Sequence, residues 1–348
     1  MRMSEFPLVS IILPCRNEER YIGPCLESIL ATTYPPDRFE VLVVDGRSDD
    51  GTRSVVAQLA AAHPRIRLLD NPLRITPVAL NIGIEAASGE IIVRMDAHVA
   101  YPPEYLPWLV TALQETGADN VGGVIVTLPA DDTPIARAIA VGLSHPLGVG
   151  NSYFRIGARE QRDVDTVPFG CFRREVFDRI GMFDEDLPRG QDEELNFRLI
   201  QRGGRVVLVP NVLSYYYARG SLRMLARMYY QYGYFKPRVA QKIGAIMTAR
   251  QLVPAVFLLS LLAAGAASAW WPVARVLGLG IAGSYAAVVV GGAALTVARH
   301  GVACALMLIA VFPVLHVSYG LGFLAGAIRL LLRRRRGHPD EAALPASR

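Results

Sequence analysis

The sequence predicts an α/β domain built on a mostly parallel central sheet, followed by a C-terminal membrane region. Three observations lead there. Strand-length apolar runs alternate with helical patterns through the first hundred residues. The strands are apolar almost continuously, as strands covered on both faces are. From Leu252 to Leu332 charge nearly disappears.

The elements follow in order. "LVSIILP" (8–14) has strand length and β-branched residues, and "YIGPCLESIL" (21–30) has helical spacing. "FEVLVVD" (39–45) and "RIRLLD" (65–70) read as the second and third strands, with the helix "TRSVVAQLAAA" (52–62) between them. "PVALNIGIEAA" (77–87) is a third helix and "EIIVRMD" (90–96) a fourth strand. Such alternation implies right-handed crossovers and hence a mainly parallel sheet. After Thr127 the rhythm breaks into loops and short helices rich in Gly, Pro and charge. "TVPFGCFRREVFDRIGMFDEDLPRGQDEELNFRLIQRGGRVVLVP" then reads as strand, helix, loop, helix and strand. "SLRMLARMYYQYGYFKPRVAQKIG" reads as a basic aromatic helix suited to a membrane surface and interrupted near Pro237.

Crossing a bilayer takes about 20 apolar residues. The segments 252–271, 273–298 and 302–332 each meet that length. The expected organisation is a soluble domain over 1–220, an interface helix region over 221–247, a transmembrane region over 248–332 and a basic tail over 333–348. The N-terminus "MRMSEFPLVSIILP" has no signal-peptide pattern. The expectation is a multi-pass protein of the inner cell membrane with its soluble domain in the cytoplasm. Arg333–Arg336 marks a cytoplasmic edge by the positive-inside rule. Three crossings would put that cluster outside, so either one segment does not cross or the third turns back. The net charge of +5 comes largely from this tail, beside a membrane segment, which argues against nucleic acid as a partner. The four cysteines have no metal-ligand spacing and read as reduced structural thiols.

Ligands of open parallel sheets bind beyond the carboxyl ends of the strands. Those ends deliver Pro14 to Glu18, Asp45, Asp70 with Arg74 soon after, and Asp96 with His98. Carboxylates gathered at one rim need positive charge or hydrogen-bond donors between them. A divalent ion and a nucleotide would supply both. Neither the dinucleotide pattern GxGxxG after the first strand, nor a phosphate-loop GxxxxGK[ST], nor a GxSxG elbow is present.

"VSIILPCRNEE", "VLVVDGRSDDGT", "NIGIEAASGEIIVRMDAH" and "GQDEELNFRLIQRGG" occur in the order seen in family 2 glycosyltransferases. Over about residues 8 to 240 the chain resembles that family, whose fold is called GT-A. The variant "RMDAH" with a membrane tail is most similar to the succinoglycan-type glucosyltransferases of exopolysaccharide assembly. The resemblance implies an inverting hexosyltransferase using a UDP-sugar donor, a Mn²⁺ or Mg²⁺ ion and a polyprenyl-diphosphate-linked saccharide acceptor at the bilayer. It places Pro14, Arg16, Asn17, Glu18, Asp45, Arg74 and Asp96 around the nucleotide-sugar. Asp45 would accept a hydrogen bond from the base. Where the family has Asp-x-Asp, this chain has Asp96 and His98, so the metal set becomes Asp96 with His98; imidazole suits Mn²⁺ better than Mg²⁺. The alternative for His98 is a loop histidine that only hydrogen-bonds. Where the family reads Glu-Asp, this chain reads Gln191-Asp192, and Asp192 takes the role of catalytic base. Glu193 and Glu194 remain rivals. The processive Gln-x-x-Arg-Trp motif is absent from "YYQYGYFK", which implies a single sugar addition. Gly170, Cys171 and Gln231 are expected on the acceptor side. The alternatives are transfer to polyprenyl phosphate itself and a non-catalytic nucleotide-binding membrane module.

Overall fold

The computed structural model describes residues 6–245 and 248–336. Its first half is a run of strand–helix units: β1 (Val9–Cys15), α1 (Glu19–Leu30), β2 (Phe39–Asp45), α2 (Thr52–Ala62), β3 (Ile66–Asp70), α3 (Thr76–Ala86) and β4 (Ile91–Arg94). These four strands pair in parallel, in the order β3-β2-β1-β4. Alternate residues serve opposite faces. Ile11, Leu13, Val41, Val43 and Val93 belong to one core, and Ile12, Leu42, Val44 and Ile92 to the other. A strand with both faces buried has no room for a polar alternation, hence the continuous apolar runs.

The sheet then becomes mixed. β5 (Val99–Ala100) is followed by α4 (Tyr105–Thr116), β6 (Asn120–Leu128), the short helices α5 (Pro134–Gly142), α6 (Pro146–Val149) and α7 (Tyr153–Ile156), and β7 (Arg162–Asp163). β8 (Cys171–Arg173), α8 (Glu175–Ile180), α9 (Gln191–Gln201) and β9 (Val206–Tyr217) complete the domain. β8 lies antiparallel between β4 and β6, while β9 runs parallel to β6 and antiparallel to β5 and β7. β4 ends at Arg94, two residues short of Asp96. Asp96 and His98 therefore stand in the turn before β5, just beyond the end of the strand.

Two expectations about the C-terminal part are corrected. α10 (Leu222–Ile243) is continuous through Pro237 rather than interrupted there. A proline inside a helix forfeits one backbone hydrogen bond, but α10 is held along its length by a later helix and keeps its course. Second, the segment 252–271 is helical only over α11 (Val253–Ala267). At 1.5 Å per residue that helix is about 22 Å long, short of a hydrocarbon core about 30 Å thick. Among the described residues two helices are long and apolar enough to cross a membrane: α12 (Pro272–Ala294) and α13 (Val297–Arg336), the latter over Val297–Leu332. Of the two alternatives left open for the last segments, the turn back within 302–332 is not seen: α13 bends only at Gly301 (φ 80°). The side chains of 333–336, which include the arginine cluster, lie outside the described residues.

α13 is the keystone of this region. A Cβ on Gly322 would lie 2.0 Å from the Tyr230 carbonyl oxygen, and one on Gly233 2.0 Å from that of Tyr319. The two helices thus meet backbone to backbone, through the small-residue spacing Gly322-x-x-x-Gly326. Further along, Leu308, Val311, Phe312 and Leu315 are fully buried in the same core as α5. His316 adds a polar stitch. Its Nε2 donates to the Leu147 carbonyl at 2.7 Å, so its Nδ1 accepts from the Tyr285 hydroxyl at 2.9 Å. The outward faces stay apolar and open: Val253, Val256, Leu259 and Leu262 on α11, then Trp270, Trp271 and Val273 at the α11–α12 turn, are all exposed. A contiguous apolar surface of this kind marks a membrane or protein contact.

Gly322→Val should lower stability by about 1–3 kcal/mol, the usual cost of overpacking a tight contact. Gly280→Ala, where nothing lies within 4 Å, should change it little. Thermal melts of the detergent-solubilised chain read both.

Candidate active site

The rim formed by β1 and β2 is built from short local bonds. Asn17 adopts a left-handed backbone (φ 54°) that asparagine tolerates. Its N–H donates to Ser48 Oγ at 2.7 Å, and its Oδ1 accepts from the Asp49 N–H at 2.8 Å. The Glu18 N–H donates to Thr52 Oγ1 at 2.8 Å. Asp45 is fully buried and accepts from the Ser48 N–H at 3.0 Å and from Arg53 Nη1 at 2.8 Å. Arg53 also reaches Asp70 at 2.6 Å. Pro14 is half-buried at the end of β1, beside Val44. Arg16 lays its aliphatic stem against Gly46, and its Nε is buried without a hydrogen bond. Arg74 is exposed, also left-handed (φ 60°), with its backbone N–H on Asn71 Oδ1 at 3.1 Å. Backbone strain thus collects at the ends of the first three strands, where Arg47 (φ 53°) adds a third case.

Asp96 and Asp192 are brought together by a residue the sequence reading passed over. Arg94, 9% exposed, donates through Nε and Nη2 to Asp96 Oδ1 at 3.1 and 3.0 Å and through Nη1 to Asp192 Oδ1. Burial opposes its charge, but the two carboxylates outweigh burial and hold the guanidinium above its ordinary pKa. A charged residue inside a buried strand needs such partners, and Arg94 in "EIIVRMD" was that signal. The turn is pinned from behind: the Asp96 N–H donates to Tyr101 Oη at 2.8 Å, and the Cys25 thiol donates to the Asp96 carbonyl at 3.5 Å.

The three acids at the start of α9 have different surroundings. Glu194 forms a paired bond with Arg198 at 2.8 and 2.7 Å. Glu193 contacts Lys236 and accepts from Gln251. Their side chains are 9% and 11% exposed, against 34% for Asp192. Asp192 therefore has the carboxylate most open to a ligand, while Gln191 is buried.

His98 Nδ1 is buried, 3.4 Å from Glu18 Oε1, with no hydrogen bond aligned between them. Its ring meets the Tyr216 ring at 5.3 Å. Among the described residues no three His, Cys, Asp or Glu side chains gather as a ready metal cage. The orphaned His98 nitrogen and the neighbouring Asp96 carboxylate nonetheless fit an ion that draws its other ligands from a bound diphosphate.

A cavity of about 600 Å³ opens from Asp96, His98 and Asp192 and extends to Val253 and Pro254 of α11 and Leu315 of α13. Phe169, left-handed at φ 48°, forms part of its wall. Gly170 and Cys171 do not: Cys171 is fully buried in β8, and a Cβ on Gly170 would meet Phe172 and Asn120. Gln231 is buried on α10, outside the cavity wall. Arg155, Arg189, Lys236 and Arg250, none of them anticipated, line the cavity instead.

Arg94→Met should destabilise the chain by about 2 kcal/mol, in the range for losing hydrogen bonds to charged groups. The double variant Arg94→Met/Asp192→Asn should lose less than the sum, with a coupling of about 1 kcal/mol or more. Additive losses in denaturation curves would disprove the link.

Comparison with known proteins agrees with this architecture. A sequence model described as Glycosyl transferase family 2 matches residues 10–181. The succinoglycan biosynthesis protein ExoA of Rhizobium meliloti (strain 1021) is 32% identical over 246 residues, covering 70% of this chain and 73% of that protein. A dolichyl N-acetyl-alpha-D-glucosaminyl phosphate 3-beta-D-2,3-diacetamido-2,3-dideoxy-beta-D-glucuronosyltransferase of Methanococcus voltae is 33% identical over 244 residues, covering 67% and 74%. Among solved structures, a mannosyltransferase of Pyrobaculum calidifontis in complex with GDP-Man and Mn²⁺ superposes with a TM-score of 0.59 over 91% of this chain and 87% of that one, at 24% identity, and supports the GT-A fold. On the evidence of its ordered motifs, its sheet and these relatives, the chain belongs to glycosyltransferase family 2.

Proposed function

We propose that the chain is a membrane-bound inverting transferase that moves one sugar from a UDP-sugar to a lipid-linked saccharide. Glucose is the sugar favoured by the succinoglycan-type likeness. One observation carries the reading: a single cavity joins the open carboxylate of Asp192 to the apolar helices. An acceptor with a saccharide at one end and a hydrocarbon chain at the other matches that gradient. The Methanococcus relative, named for action on a dolichyl-phosphate sugar, supports it.

The chemistry follows from the residues. The nucleotide lies over Pro14, Arg16, Asn17, Glu18 and Asp45, with Arg74 at its edge. Asp192 takes the proton of the acceptor hydroxyl as that oxygen attacks the anomeric carbon from the face opposite the leaving group. The sugar–phosphate bond breaks, its electrons leave with the nucleoside diphosphate, and the configuration inverts. Arg94 orients Asp192 and holds it at a fixed separation from Asp96. A divalent ion held by Asp96 and His98, Mn²⁺ or Mg²⁺, would supply positive charge against the departing diphosphate.

The same reading takes a two-span topology. With α11 too short to span, α12 crosses outward and α13 returns. The soluble domain and the arginine tail are then both cytoplasmic, in line with the positive-inside rule. A resident of the inner membrane would meet its lipid acceptor at that face.

Asp192→Asn should reduce transfer by about 10²-fold or more, the usual scale for a lost general base, while UDP binding stays intact. Nucleotide release from a panel of UDP-sugars with a polyprenol-linked acceptor extract reads the first, and calorimetry the second. Loss of UDP binding as well would count against the role. EDTA should abolish release and Mn²⁺ restore it. A glycosidic product supports a saccharide acceptor; a sugar phosphodiester would mean transfer to polyprenyl phosphate.

A further inference from the structure

The charge of the cavity exceeds what the proposed transfer step uses. Arg94, Arg155, Arg189, Arg219, Lys236 and Arg250 line it, against the acids Asp96, Asp192 and Glu193. Those acids already have cationic or amide partners: Arg94 takes the first two, and Lys236 with Gln251 takes Glu193. Arg155 Nη1 is buried with no hydrogen bond, and so is Tyr319 Oη. Both residues belong to the wall of the same cavity. Buried donors without acceptors are costly unless a ligand supplies them.

These groups also share a location. Lys236 stands on α10, Tyr319 on α13, and Arg250 on the 3₁₀ turn Ala249–Gln251 that leads into α11. Arg250 is held outward by Asn151 and by Asp165 at 3.2 Å. It lies close enough to Lys236 for repulsion: burial first, then this guanidinium, pushes the Lys236 ammonium down to about 7, which the Asp165 carboxylate resists. An anion seated between the two cations would relieve that repulsion. The proposed nucleotide residues Asn17, Glu18 and Asp45 are not part of the cavity wall, whereas Val253 and Pro254, where the apolar segment starts, are. A phosphate bound here therefore adjoins the hydrocarbon side of the cavity.

We propose that Arg155, Lys236, Arg250 and Tyr319 form a subsite for the phosphate of the lipid acceptor, whose apolar chain lies towards Val253 and Pro254. The proposal rests on the lipid-acceptor reading above and adds the part of the acceptor that the chain recognises by charge. Arginine and lysine at such a site give charge-assisted bonds to the phosphate oxygens, and the Tyr319 hydroxyl adds one neutral donor.

The test is binding to the full chain in nanodiscs, with farnesyl phosphate, farnesol, inorganic phosphate and UDP as probes. Farnesyl phosphate should bind at least about tenfold more tightly than farnesol or inorganic phosphate, on the scale of one charge-assisted hydrogen bond. Arg250→Gln and Arg155→Gln should each weaken farnesyl phosphate about tenfold while leaving UDP affinity unchanged. Tyr319→Phe removes a hydroxyl that has no partner and so leaves the fold intact; it should weaken farnesyl phosphate about threefold and farnesol not at all. Equal binding of farnesol and farnesyl phosphate would overturn the subsite. So would inorganic phosphate binding as tightly as the lipid phosphate, or variants that weaken UDP as much as farnesyl phosphate, which would assign the cations to the donor. A chain that binds farnesyl phosphate as expected but transfers no sugar keeps the subsite and sinks the transferase reading. A chain that transfers sugar without preferring the phosphate does the reverse.

Discussion

The arrangement of the site depends on one buried guanidinium. Arg94 sits at the end of a strand whose neighbours on both sides are apolar, and it can be charged there only because Asp96 and Asp192 accept from it. The two acids are 96 residues apart in sequence and come from different structural units, the parallel half of the sheet and the start of α9. Like charges brought this close would repel without a cation between them. The same ion set that satisfies Arg94 therefore holds the proposed donor end and the proposed base at a fixed separation. Replacing it with apolar packing could serve stability as well, but it would leave nothing to orient Asp192.

A second constraint joins the α/β domain to the apolar C-terminal helices. α10 and α13 approach so closely that glycine is required on both, at Gly233 and Gly322. This contact fixes where α13 starts its course over α5 and α6, and so where Tyr319 and His316 enter the cavity wall. The apolar helices are thus part of the site and do more than anchor it. On the proposed function, acceptor specificity would come from matching three zones in sequence: open carboxylate, cationic middle and hydrocarbon wall.

Much of the fold was legible in the sequence because its signals are local. Alternating strand and helix runs, continuous apolar strands and uncharged C-terminal segments are each visible within a window of ten to twenty residues. The ordered motifs carried the family, and strand-end geometry brought Asp45, Asp96 and His98 to the rim. The site was legible in part. Asp192 among its neighbours could be ranked only from burial and partners, since Asp, Glu and Glu at a helix start look alike in sequence. Gly170 and Cys171 were expected on the acceptor side, but Cys171 lies in β8, paired with β4 and β6, and neither residue lines the cavity.

The sequence by itself determined the α/β class, the parallel half of the sheet, the presence of a long apolar tail and the residue types at the strand ends. Hydrophobic period and chain connectivity suffice for those. Only the tertiary structure decided that α11 falls short of a span, that α10 runs unbroken through Pro237, and that Arg94 couples Asp96 to Asp192. It alone brought Arg155, Lys236, Arg250 and Tyr319 to one cavity. Those outcomes depend on contacts between segments far apart in the chain, where packing and charge pairing override local propensity, and no local pattern encodes which distant partner a residue will meet.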